Sequence, residues 1–175
     1  MYFKSLIRTI PHYPKQGIMF RDITTLLQDP KGLSMVVDGL AEQYKNQNID
    51  KIAGIEARGF IIGAALAYKL GVGFVPVRKA GRLPAETISQ AYTLEYGTGQ
   101  LEIHTDAIGE GEQILLIDDL VATGGTAEAA VALIQRRGGV VAGCGFVIDL
   151  PDIGGLQRLQ KAGLQTFALC EFEGE

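Results

Sequence analysis

Residues 114–130 read ILLIDDLVATGGTAEAA, and the order of residue types in this stretch decides the fold around it. Ile114 to Ile117 form an uninterrupted apolar run, the pattern of a strand buried on both faces. Two adjacent carboxylates follow, Asp118 and Asp119, and then a loop of small residues and hydroxyls, Ala122-Thr123-Gly124-Gly125-Thr126. A helix is predicted from about Thr126 to Arg137, with Arg136 and Arg137 in its last turn and Gly138-Gly139 beyond, which is ordinary stop chemistry. Paired glycines let backbone N–H groups converge without interference from a Cβ. The unpaired N–H groups and positive dipole end of a helix favour a phosphate dianion, and the two threonine hydroxyls add donors. Ionised carboxylates only accept hydrogen bonds, so the aspartates suit the hydroxyls of a sugar rather than its phosphate. Phosphate on the helix and diol on the aspartates describe a ribose 5-phosphate site. The bland alternative is an acidic turn before a helix capped by Thr123 or Thr126. A GxxxxGK[ST] loop is absent, and no GxGxxG opens a helix after a strand, so a P-loop and a dinucleotide fold are unsupported.

The same alternation extends in both directions. Lys51–Ile55 reads as a short buried strand, Arg58–Leu70 as an apolar helix ended by Gly71, and Val72–Val77 as a second strand. Val140–Ile148 and Gln165–Leu169 supply two more strands, with Asp152 as a possible cap for a short helix running through Leu156 and Leu159 to Gly163. Nearer the start, Asp29-Pro30 opens a helix that places Leu33, Val36, Val37, Leu40 and Tyr44 on one face. Strands alternating with helices predict an α/β fold: a single domain over residues 1–175 with a mostly parallel central sheet and helices on both faces. Ligands of such sheets bind outside the carboxyl ends of the strands, which points to the loops after Ile55, Val77 and Ile117.

Composition narrows the function classes. The 175 residues are 47% hydrophobic and 21% charged, which suits a globular chain with a real core. Two cysteines, Cys144 and Cys170, are too few for a disulfide framework, so a reduced, cytoplasmic setting is expected. Gly59 to Tyr68, the longest apolar stretch, ends at Lys69 and is too short for a membrane span. The N-terminal MYFKSLIRTIPHYP has no long apolar block, and export is not expected. With a net charge of −4, a general nucleic-acid coat is disfavoured. His12 and His104 are isolated, and no Cys/His cluster has zinc spacing.

Three further constellations lie at ligand-facing positions. Arg78, Lys79 and Arg82 follow an apolar strand, and their forks and point charge suit pyrophosphate better than a merely solvated loop. In Glu56-Ala57-Arg58-Gly59 small residues permit close backbone approach, while Arg58 puts a cation where the helix dipole disfavours it. A functional Arg58 and one that pairs with Glu56 or another carboxylate weigh equally on the residues alone. Residues 85–104 form a polar, loosely alternating stretch that reads as a two-stranded ribbon with Gly97–Gly99 near its turn.

IDDLVATGGT resembles the phosphoribosyl-pyrophosphate (PRPP) signature of the type I phosphoribosyltransferases. YPKQGIMFRDIT (13–24), GIEARGFIIGAALA (54–67), FVPVRKAGRLP (74–84) and LEYGTGQLEIH (94–104) narrow the likeness to the adenine phosphoribosyltransferase branch, over nearly the whole chain. The resemblance implies a glycosyltransferase of purine salvage that joins adenine to the ribosyl carbon of PRPP, giving AMP and pyrophosphate, with Mg²⁺ carried mainly by substrate oxygens and a homodimer as the working form. It places the sugar phosphate on Asp118, Asp119, Ala122, Thr123, Gly124, Gly125 and Thr126. Pyrophosphate falls on Ala57, Arg58, Arg78, Lys79 and Arg82, the last three at a dimer interface within reach of the neighbouring subunit's site. Adenine falls to Met19, Phe20, Arg21, Arg58 and Leu150, with residues 1–28 as a flap over the base. A cis Glu56–Ala57 peptide is implied too. The stretch from about 82 to 104 becomes a mobile lid bearing Tyr96 and the catalytic carboxylate Glu95, although the residues alone do not distinguish Glu95 from Glu86 or Glu102. Two other readings remain: a transferase for a 6-oxopurine, and a non-catalytic PRPP sensor, which would want a basic surface and a DNA-binding segment.

Overall fold

The computed structural model describes residues 2–94 and 97–174, without the side chain of Leu94. The chain opens with α1 (Tyr2–Ser5), the strands β1 (Arg8–Pro11) and β2 (Met19–Asp22), and α2 (Thr24–Gln28). There follow α3 (Pro30–Tyr44), β3 (Lys51–Ile55), α4 (Arg58–Leu70), β4 (Gly73–Lys79), β5 (Thr87–Leu94) and β6 (Gly97–His104). Then come β7 (Gln113–Val121), α5 (Gly125–Arg136), β8 (Val140–Asp149), α6 (Gly155–Lys161) and β9 (Thr166–Glu171).

Seven strands form one sheet in the order β5-β6-β4-β3-β7-β8-β9. The five strands from β4 to β9 run parallel, whereas β6 pairs antiparallel with both β4 and β5. β1 and β2 make a separate antiparallel pair. The parallel strands are apolar on both faces because each face is covered. Leu115 and Ile117 of β7 pack with Leu26 of α2, Val36 and Leu40 of α3, and Ile62 and Leu66 of α4. Ile114 and Leu116 point the other way, into a cluster with Leu133 and Ile134 of α5 and Leu159 of α6. The predicted α/β architecture with helices on both faces is therefore found.

The starts and stops follow local chemistry. Asp29 caps α3 by accepting the Gly32 N–H at 2.6 Å, with Pro30 in the first turn. Gly71, left-handed at φ 70°, ends α4 as the sequence suggested.

Three details differ from the sequence reading. β7 runs to Val121, so Asp118 and Asp119 lie inside the strand; β8 continues the ladder that far, pairing Val121 with Asp149. β4 likewise extends through Arg78 and Lys79, which pair with Glu102 and Leu101 of β6. Asp152 does not cap α6: Gly154 holds that position, and the Asp152 carboxylate accepts the N–H of Gly174 at 2.7 Å. The ribbon is found with Gly97 and Gly99 next to its turn, as read from the sequence, and a Cβ at Gly99 would lie 2.5 Å from the ring of Tyr92 opposite it.

Candidate active site

A cavity of about 720 Å³ opens at the carboxyl ends of β7 and β8 and against β2. Its polar lining comprises Asp118, Asp119, and the loop residues Ala122, Thr123, Gly124 and Thr126. Its apolar lining includes Ile18, Met19, Phe20, Phe146, Leu150 and Ile153. Arg21 and Arg58 also line it.

The loop is built for close approach. Gly124 adopts φ 86°, a left-handed conformation that L side chains rarely take, and α5 opens directly after it. The N-cap residue of α5 is Gly124, which has no side chain to cap the helix, and the Gly125 N–H makes only a long hydrogen bond to a loop hydroxyl. Thr123 Oγ1 lies 3.4 Å from the Gly125 nitrogen. Gly59 at the start of α4 faces this strand, and a Cβ there would lie 3.0 Å from the Ile117 carbonyl and 3.1 Å from Asp118 Oδ1.

The two aspartates occupy different electrostatic settings. Asp119 is buried and its Oδ2 accepts a short hydrogen bond from Arg58 Nε. Asp118 Oδ1 accepts the Asp119 N–H at 2.8 Å. Burial, and then the negative charge of Asp119, push the Asp118 carboxyl well above the usual carboxylate range. The Arg58 guanidinium rises above its ordinary value: burial opposes its charge, but Asp119 outweighs that and Asp118 and Asp22 add to it. Arg58 also stands 5.8 Å from the Phe20 ring centroid, joining the acidic strand to the apolar shelf.

Of the two readings of Arg58, the structure therefore supplies a carboxylate partner, Asp119, and places the side chain in the cavity as well. Glu56 pairs elsewhere. Its carboxylate accepts the Lys79 N–H at 2.6 Å and faces Arg82 at 3.0 Å and Arg78 at 3.5 Å. Burial works to raise the Glu56 carboxyl, but these donors bring it below the ordinary range. The Glu56–Ala57 peptide is cis, as the resemblance implied. Arg78, Lys79 and Arg82, together with Ala57, are not among the residues that line the cavity. On the apolar side, Arg21 is held by Thr9 Oγ1 at 2.6 Å and by the Glu173 carbonyl at 3.2 Å, and stacks over Phe172.

Residues 23–157 match the family model described as a phosphoribosyl transferase domain. A relative from Nitrosospira multiformis, described as adenine phosphoribosyltransferase, is 66% identical over 174 residues and covers 99% of both chains. The chain belongs to the adenine phosphoribosyltransferase family. A crystal structure of adenine phosphoribosyltransferase from Thermoanaerobacter pseudethanolicus is 48% identical, with a TM-score of 0.93 over 98% of each chain. The Trypanosoma brucei adenine phosphoribosyl transferase, in complex with AMP, pyrophosphate and ribose-5-phosphate, is 25% identical with a TM-score of 0.89, covering 97% of this chain and 78% of its own.

Within this adenine phosphoribosyltransferase fold, the sequence-predicted residues Met19, Phe20, Arg21, Arg58, Asp118, Asp119, Ala122, Thr123, Gly124, Thr126 and Leu150 meet around one cavity. Glu95 and Tyr96 lie outside the described residues. Ile18, Val121, Phe146 and Ile153 were not anticipated. For Phe146 a signal existed: it lies near the carboxyl end of β8, beside Asp118 in the register, where ligands of parallel sheets collect.

Proposed function

We infer that the chain transfers the 5-phosphoribosyl group of PRPP to adenine, yielding AMP and pyrophosphate. One observation carries the reading: a single cavity is lined by a glycine-containing loop at a helix N-terminus, by two carboxylates and by apolar side chains. A nucleoside monophosphate has the same three-part layout.

In this assignment the loop from Ala122 to Thr126 holds the 5-phosphate, and Asp118 and Asp119 accept from the ribose hydroxyls. Adenine lies against Met19, Phe20 and Leu150, with Arg21 and Arg58 at its edges. As the glycosidic bond to pyrophosphate breaks, positive charge develops on the ribose and negative charge on the leaving group. Arg58 and the Ala57 backbone meet that negative charge, and Arg78, Lys79 and Arg82 meet it at the end of β4. Glu95 handles the proton at the purine as its nitrogen attacks, and the β5–β6 ribbon closes with Tyr96 over the site to exclude water, while the N-terminal segment to residue 28 acts as a flap.

Mg²⁺ fits this set of residues as a substrate-borne ion. Among the described residues, no group of three Asp, Glu, His or Cys side chains stands ready to cage a metal, and single carboxylates beside a pyrophosphate suit a cation that keeps its waters. When bound it supplies charge neutralisation to the leaving group.

A homodimer is the proposed working form. Ile61 is 51% and Tyr68 91% exposed on α4, one helical face apart by two turns, and such large apolar side chains are better covered. A cytoplasmic setting accords with Cys144 and Cys170, both free and buried.

Incubation with PRPP, Mg²⁺ and each purine in turn tests the assignment. AMP forms from adenine at a kcat/KM at least about 100-fold above that for hypoxanthine, guanine or xanthine. Preference for a 6-oxopurine, or no nucleotide product at all, would overturn it.

A further inference from the structure

The phosphate-binding loop has a second side, facing away from the substrate cavity, and Arg158 of α6 stands on it. Its guanidinium makes a fork with Glu128, Nε to Oε1 at 2.8 Å and Nη2 to Oε2 at 2.5 Å. The remaining arm, Nη1, donates to the carbonyl of Thr123 at 3.3 Å. Arg158 does not line the substrate cavity; it lines a separate hollow of about 260 Å³ with Glu128, Gly125 and residues 90–93 of the ribbon. Thr123 and Gly124 line the substrate cavity itself.

Their shared peptide is trans, so its carbonyl and its N–H point in opposite directions. Drawing the Thr123 carbonyl outward to Arg158 turns the Gly124 N–H inward, toward the place where a phosphate would sit. The carbonyl is the wrong partner for that dianion, and the N–H is the right one. Glu128 adds a second consideration. It lies in the first turn of α5, the end at which the phosphate binds, and its charge opposes an incoming dianion unless it is neutralised.

We propose that Arg158 is a positioning residue for PRPP, setting the peptide orientation of the phosphate loop from behind while its fork neutralises Glu128. This deepens the assignment of residues 122–126 to the 5-phosphate and rests on it. Arg158 touches no substrate, so its effect is confined to the sugar-phosphate half of the site. Replacing it raises KM for PRPP and leaves KM for adenine alone.

The experiment uses the full-length enzyme, with ribose 5-phosphate binding by calorimetry beside steady-state kinetics. Arg158→Ala should weaken ribose 5-phosphate binding and raise KM for PRPP about 10- to 100-fold, with KM for adenine within about twofold. Arg158→Lys keeps a charge but loses the planar fork, and should fall between. The double variant Arg158→Ala/Glu128→Gln removes the repelling charge as well; incomplete recovery identifies the carbonyl contact as the positioning element. Full recovery in the double variant, or equal rises in both KM values, would overturn the proposal. Gly124→Val, at a loop residue that lines the substrate cavity and not the hollow, separates the two layers. If it abolishes ribose 5-phosphate binding while Arg158→Ala leaves it at wild type, the loop assignment survives and the role of Arg158 falls. If Gly124→Val also binds as wild type, the loop assignment itself fails. Since the Arg158 side chain is 52% exposed, its variants are expected to fold, as melting curves will verify.

Discussion

Replacing Gly155 with alanine should disable the sugar-phosphate site from behind, since Gly155 packs against the loop but does not itself line the cavity. A Cβ built at Gly155 would lie 2.2 Å from the Ala122 carbonyl oxygen and 2.7 Å from the Gly124 nitrogen. Both are backbone atoms, so no rotamer change relieves the overlap. Either α6 or the loop must retreat by about 1 Å, a displacement able to cost roughly 100-fold in rate at a preorganised site. That is about 2.7 kcal/mol of transition-state stabilisation, with a further ~1–3 kcal/mol of folding stability lost to overpacking. Gly39→Ala is the matched control. Its nearest neighbour is the flexible end of Leu169 at 2.8 Å, and a helix-interior alanine is favoured over glycine by about 1 kcal/mol. The assay is kcat/KM for PRPP at saturating adenine, beside thermal melting of both variants. Gly155→Ala should lose about 100-fold in kcat/KM and Gly39→Ala less than twofold. A Gly155→Ala enzyme with wild-type kcat/KM for PRPP would refute the claim that the packing of α6 fixes the loop.

Glu95→Gln should lower kcat by at least about 100-fold with KM for PRPP within threefold, as expected of a proton-handling group; an unchanged kcat removes Glu95 from the mechanism. Asp118→Asn should weaken PRPP binding at least about tenfold, yet stabilise the ligand-free protein near neutral pH. Because burial and Asp119 raise the folded-state value of Asp118, the unfolded chain gives up that proton first as pH rises. Stability therefore falls between the ordinary carboxylate range and the raised folded value. The melting advantage of Asp118→Asn should be absent near pH 4 and grow toward pH 8; a uniform loss across that series contradicts the assigned environment. Tyr68→Glu should shift sedimentation from dimer to monomer, and an unaltered sedimentation coefficient would place the interface elsewhere.

Legibility in the sequence followed the range of the forces involved. Strand and helix order could be read because burial on both sheet faces demands apolar runs at fixed spacing, as in Ile114–Ile117, and because Asp29, Gly71 and Gly138 carry local stop and start chemistry. The phosphate loop was legible for the same reason: its function is built from contiguous backbone. Partnerships across the chain were not. Nothing in the order of residues distinguishes Glu56 from Asp119 as the partner of Arg58, since that choice depends on the register of β3, β4 and β7. Phe146 and Val121 escaped notice because apolar strand residues look alike until the strand ends are placed. Asp152 looked like a cap, but the capping residue stands immediately before the first helical residue, and α6 begins three residues after Asp152 with Gly154 in that position.

Adjacent carboxylates next to a phosphate site pose an electrostatic problem that the fold resolves by strand alternation. Successive residues of β7 present to opposite sides, so Asp118 and Asp119 need not share one environment. Asp119 meets Arg58, and that pair contributes little net charge to the cavity. Asp118 is enclosed beside Gly59, whose missing Cβ admits it, and burial there favours its neutral form. Two formal negative charges in the sequence thus present much less than two to an approaching dianion, while both side chains keep oxygen atoms able to hydrogen-bond sugar hydroxyls. Had both aspartates been solvated on one loop, their field would have opposed the N-terminus of α5. Placing them within the strand is what lets an acidic pair and a phosphate cradle stand a few residues apart.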